Sequence, residues 1–130
     1  MSFLDVFKDW KEVKEYPANA VIFSENDAAD FMYVILKGEV ELSLEGEPLG
    51  IESEGGVFGE MAMIQNAPRS ATATCLTKVK LAQVDREQFT QVVAHNVDFS
   101  LKVMAVLANR LRAADHFIAE HFGKSNAKFS

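Results

Sequence analysis

A chain of 130 residues with 48% hydrophobic and 25% charged side chains holds enough material for one buried core and lacks the bias of a disordered sequence. Its net charge of -6 excludes a broad nucleic-acid surface, because a phosphate backbone is held by many Lys and Arg side chains. The single cysteine, Cys75, rules out an internal disulfide, no apolar run reaches the ~20 residues of a membrane helix, and the charged N-terminus does not read as a signal peptide. A cytoplasmic protein without membrane contact of its own is therefore expected. The three histidines, His95, His116 and His121, are too scattered to predict a metal site.

The first segment, Phe3 to Trp10, has apolar residues at positions 3, 4, 6, 7 and 10 and predicts a short amphipathic helix within residues 1–12. Past Pro17 the pattern changes to short β-prone runs separated by turn residues: AVIFS, FMYVILKG, EVELSLEG, PLGIE, SATATCL and KVKLAQV. LKGE and EGEP place a glycine where a bend needs positive φ, and ENDAAD offers Asn and Asp for the same purpose. In VELSLEG, Val40, Leu42 and Leu44 alternate with polar residues, which predicts one face lining an interior and one facing water. Cys75, inside a β-prone run, reads as an inert core residue. The rhythm is that of a mainly β fold with helices, an eight-stranded β-roll of the jelly-roll type over residues 13–84.

After Val84, DREQFTQVVAHN opens on Asp85 with Gln88 three places later, a capping box that starts a helix. A second helix, from about Asp98 to Phe122, sets Val103, Leu107, Leu111, Ala114, Ile118 and Phe122 on one stripe, with Gly123 as its C-cap. Residues 1–130 are expected to form one domain, with the two C-terminal helices over 85–122 and a tail over 123–130.

The stretch FGEMAMIQNAPRSATA, beginning at Phe58, interrupts the strands. A short helix starting near Gly59 leaves the amides of Glu60, Met61 and Ala62 without intrahelical partners, and such donors attract a phosphate. Gly59 lets an anion approach the backbone. Pro68 ends the segment and swings Arg69 back over the same spot, where its guanidinium fork can hold two phosphate oxygens. Glu60 would repel a phosphate, so its presence implies a ligand that also offers a sugar hydroxyl.

These residues resemble the phosphate-binding cassette of the cyclic nucleotide-binding domain family. FMYVILKGEVEL is similar to the strands that precede that cassette, and VKLAQVDREQFTQVV to the strand and helix that follow it, so the resemblance spans roughly positions 16 to 112. It implies that Gly59, Glu60 and the amides of Met61 and Ala62 grip the ribose and cyclic phosphate. It further implies that Arg69 pairs with the phosphate, that Ser70 and Ala71 add hydrogen bonds, and that Leu42 and Leu49 line the base pocket. Arg110, on the last helix, is the candidate to cover the base. The chain departs from the usual pattern in having ESEGGV where a Pro-Gly-Asp turn is common and END where Glu-Gly-Asp is common; both keep turn-competent residues.

Bland alternatives stand beside these roles. Leu42 and Leu49 fit plain core equally well, and Arg110 fits a solvated helix face. No serine or cysteine stands in a nucleophile setting and Glu60 has no paired carboxylate, so an enzyme is not expected. The resemblance implies a receptor for cyclic AMP ahead of cyclic GMP, without a further cofactor, in which the C-terminal helices re-dock over the base. Because the sequence runs little past Phe122, the output is expected to pass to a protein partner or to a second copy through the last helix. The competing reading is a β-roll interaction module whose pocket is unused.

Overall fold

The structure, a computed structural model, describes residues 3–122, apart from the side chains at 114, 116–119 and 121–122. The expected C-cap Gly123 and the tail 123–130 lie outside the described residues, as do the side chains of the stripe positions Ala114, Ile118 and Phe122 and of His116 and His121. In chain order the elements are α1 (Leu4–Phe7), β1 (Val13–Tyr16), β2 (Val21–Phe23), β3 (Phe31–Lys37), β4 (Val40–Leu44), β5 (Glu47–Glu52) and β6 (Val57–Phe58). There follow α2 (Met61–Ile64), β7 (Thr72–Cys75), β8 (Val79–Asp85), α3 (Arg86–His95) and α4 (Val97–Phe122).

The eight strands form two antiparallel sheets, ordered β1-β8-β3-β6 and β2-β7-β4-β5. Strand alternation explains how the layers are glued. Tyr33 and Ile35 of β3 and Val79 and Leu81 of β8 point between the sheets, where they meet Val40, Leu42, Phe58 and Cys75. Their neighbours Met32, Val34, Ala82 and Val84 point the other way, onto Phe7, Val92, Phe99, Val103 and Val106 of the helices. The central strands are thus buried on both faces, one by the second sheet and one by the helical layer. Phe99 is the hub of that layer, with ring centroids 5.5 Å from Phe7, 5.8 Å from Phe3 and 6.0 Å from Phe89. Burying such a ring contributes roughly 1.5–3 kcal/mol.

The local chemistry agrees with this frame. Glu45 and Gly46, with φ of 49° and 81°, close the β4–β5 hairpin as a two-residue turn of the type that matches strand twist. Gly38 and Asn26 also adopt the positive φ expected of them. The capping box at α3 is complete: Gln88 N donates to Asp85 Oδ1 at 2.8 Å and Asp85 N to Gln88 Oε1 at 2.9 Å.

Two expectations need correction. Leu44 is exposed rather than interior, because it ends β4 at the hairpin, where no layer covers it. On α4 the buried face is Phe99, Val103 and Val106 with Leu107 half-buried, whereas Leu111 is 54% exposed. Phe99 was not among the stripe positions, since it fills a hole between α1 and α3 that periodicity cannot show. Among the described residues no helix is long and apolar enough to cross a membrane.

Candidate ligand site beneath the cassette

β6 delivers the chain to Gly59, whose φ of +75° turns it sharply into α2. A Cβ at this position would lie 2.8 Å from Arg69 Nη1, so glycine satisfies both the backbone angle and the close approach of the guanidinium. Beyond α2, Gln65 is extended and the segment through Pro68 returns Arg69 beneath the turn. The backbone at Arg69 is pinned there by two bonds to the Ser24–Asp27 turn: Arg69 N donates to Asp27 O at 2.9 Å, and Asn26 N donates to Arg69 O at 2.8 Å.

The Arg69 side chain is 7% exposed and firmly seated. Nη2 donates to Phe31 O at 2.7 Å, Nη1 donates to Gly59 O at 3.4 Å, and the guanidinium carbon stands 4.0 Å from the centroid of the Phe23 ring. Burial pulls its pKa below the usual arginine value, opposed by the charges of Tyr33, Asp30, Asp27 and Glu60; guanidinium remains a cation throughout. Glu60 is 1% exposed. Its Oε2 accepts from Arg110 Nε at 3.1 Å across 50 residues of sequence, and Arg110 Nη2 also reaches Val57 O at 3.5 Å and Glu52 Oε2 at 4.0 Å.

Two buried polar atoms here have no hydrogen-bond partner among the described residues: the acceptor Glu60 Oε1 and the donor Arg69 Nε. Leaving such groups unpaired costs roughly 1–3 kcal/mol each, more where they are charged. One acceptor and one donor on residues lining the same cavity match a ligand that brings a hydroxyl and an anionic oxygen.

All ten residues singled out in the sequence line one cavity: Leu42, Leu49, Gly59, Glu60, Met61, Ala62, Arg69, Ser70, Ala71 and Arg110. Phe23, Ala29 and Pro68 complete it. Pro68 lay inside the quoted motif; Phe23 and Ala29 carried no local signal, although the platform a cation needs could have prompted a search for an aromatic ring near Arg69. The arrangement differs from expectation in three respects. Ala62 N is used by Gly59 O at 3.3 Å, which leaves Glu60 and Met61 as the amides without a backbone partner among the described residues. The Arg69 fork is engaged with main-chain carbonyls instead of standing free. Arg110 lies against Glu60 and not on an open helix face. The cavity is partly open to solvent and measures about 80 Å³, while sites for drug-sized ligands run to roughly 300–1,000 Å³.

The model of the cyclic nucleotide-binding domain family matches residues 13–96. A CRP-like cAMP-activated global transcriptional regulator of Mycobacterium tuberculosis is 27% identical over 111 residues, covering 82% of this chain and 50% of that protein. The chain thus spans about half the length of that curated relative. Among solved structures, the Thermus thermophilus catabolite activator protein is 26% identical with a TM-score of 0.73, covering 89% of this chain and 57% of that one. The cAMP-bound form of EAL enzyme Bd1971 is 37% identical with a TM-score of 0.61, covering 85% and 33%. Its cGMP-bound form is 36% identical with a TM-score of 0.62, covering 85% and 31%.

Proposed function

The chain belongs to the cyclic nucleotide-binding domain family, and from that premise we propose that it is a cytoplasmic, non-catalytic receptor for a cyclic purine mononucleotide, cyclic AMP ahead of cyclic GMP. One observation carries the reading: a buried carboxylate and a buried guanidinium, each with an unpartnered atom, sit within one cavity lined by the cassette. In this reading Glu60 takes the ribose hydroxyl and Arg69 with the Glu60 and Met61 amides takes the cyclic phosphate. Ser70 and Ala71 extend the anion contacts, and Leu42 and Leu49 flank the base. Relatives with both ligands among their solved forms leave cyclic GMP as the second candidate.

Arg110 on α4 lines the cavity and holds Glu60 Oε2 at 3.1 Å, so a ligand hydroxyl at Glu60 would meet this side chain. Displacement there offers a route from pocket to helix. The other face of α4 supports an output: Val97, Leu101, Met104 and Leu111 recur at three- and four-residue intervals, apart from one skipped turn at Ala108, and all are exposed. A protein partner or a second copy would cover them.

Isothermal calorimetry with cyclic AMP, cyclic GMP and 5'-AMP tests the reading. Tight binding of one cyclic ligand and weak binding of 5'-AMP are expected, and Arg69→Ala should weaken the cyclic ligand roughly tenfold to a hundredfold. Equal affinity for 5'-AMP, or no heat with any ligand, would overturn it in favour of an interaction module. Light scattering with and without cyclic AMP checks the α4 output, which fails if the protein stays monomeric and no cellular protein is recovered with it.

A further inference from the structure

Arg86 stands where a helix disfavours it. It is the first residue of α3, directly after the capping box at Asp85, and a cation in the first turn meets the positive end of the helix dipole. Among the described residues no carboxylate pairs with it. Its guanidinium instead reaches back 24 residues, where Nη2 donates to Ala62 O at 2.8 Å. Ala62 belongs to α2, a helix of four residues, too short to hold its own shape in water. Gln65 closes that helix: its N donates to Met61 O, and its backbone turns extended at φ -126° and ψ 141°. The amide that would next have bonded Ala62 O, that of Asn66, is thereby carried away from the helix. The carbonyl left over lies at the negative end of α2, where a cationic donor is favourable. The guanidinium that is misplaced for α3 is well placed for α2.

We infer that Arg86 is a positioning residue for the ligand site: it seats the cassette by closing the open end of α2 from the start of α3. This rests on the receptor reading above and deepens it by naming a residue outside the cavity on which affinity depends. Arg86 does not line the cavity, whereas its partner Ala62 does. The two ends of α2 then have different keepers. Arg69 Nη1 bonds to Gly59 O at the entry, and Arg86 bonds to Ala62 O at the exit. Without Arg86, Ala62 O must turn to water and the last bonds of the turn open more often. In a helix one turn long that loosening reaches Glu60 and Met61 directly.

The test combines calorimetry with amide hydrogen exchange on the whole chain. Arg86→Ala should weaken cyclic AMP roughly threefold to tenfold, the range of a charge-assisted hydrogen bond discounted for exposure. Arg86→Lys keeps a cationic donor and should return to within about twofold of wild type. Glu87→Ala removes a favourable carboxylate from the same turn of α3, so it should lower stability yet leave cyclic AMP affinity unchanged. In the unliganded chain the amides of Met63 and Gln65, which donate to Glu60 O and Met61 O, should exchange roughly threefold to tenfold faster in Arg86→Ala, with the α3 amides no faster. Unchanged affinity in Arg86→Ala, an equal loss in Glu87→Ala, or a lysine variant as weak as the alanine one would overturn the assignment. Failure of wild type to bind any cyclic nucleotide would sink the receptor reading alone, because the exchange measurement still decides whether Arg86 seats α2.

Discussion

The two charged residues of the cavity are held in opposite ways. Arg69 is clamped by parts that do not move independently: two main-chain carbonyls, the ring of Phe23, and a backbone tied to the turn at Asp27. Glu60, also buried, is held by one side chain borrowed from α4, and that side chain stands 4.0 Å from Glu52 Oε2 as well. The Arg69 side is therefore fixed within the β-roll, and the Glu60 side depends on where α4 lies. A pocket built this way ties one of its two charged groups to the last helix.

The largest way to break the contrast is to unseat α4, because the Glu60 side depends on where that helix lies. Phe99→Ala empties the hub of the helical layer and should cost about 3–5 kcal/mol of stability. Urea unfolding measures it, and a loss under 1 kcal/mol would show that α4 is seated by something else. Next comes the fixed side. Gly59→Ala puts a Cβ 2.8 Å from Arg69 Nη1 at a φ of +75°, a combination worth roughly 1–3 kcal/mol of strain. Cyclic AMP affinity should fall along with stability, since the guanidinium must shift; calorimetry showing unchanged affinity would mean that Arg69 does not touch the ligand. A finer cut is Phe23→Leu, which keeps an apolar side chain but removes the ring under the cation. It should weaken binding by about the 0.5–2 kcal/mol of a cation–π contact and leave the Glu60–Arg110 pair intact.

Much of this was legible in the sequence because the determinants are local. The strand runs, the turn residues at Gly38 and Gly46, and the capping box at Asp85 each state their structure within a few positions, and Gly59, Glu60 and Arg69 fall within one twelve-residue window. What the sequence hides is set by distant partners. β6 is two residues long and exists only because Val57 and Phe58 pair with Val34 and Tyr33. The exposed Leu111 satisfies the same periodicity as the buried Val103, and only the reach of the body beneath α4 separates them. The ion pair of Glu60 with Arg110 joins residues 50 apart, so no pattern within either segment announces it.

The smallest expected effect belongs to Glu52, and it sharpens the contrast most. Burial lifts its carboxyl above the ordinary value of 4.5, Arg110 and Lys102 pull it down, and Glu60 adds to the rise. With the folded-state pKa above the unfolded one, the contribution to stability is fully present below the unfolded pKa and is lost as pH rises through the raised value. Glu52→Gln should therefore melt with wild type in acid and equal or slightly exceed it at neutral pH, within roughly 0.5 kcal/mol.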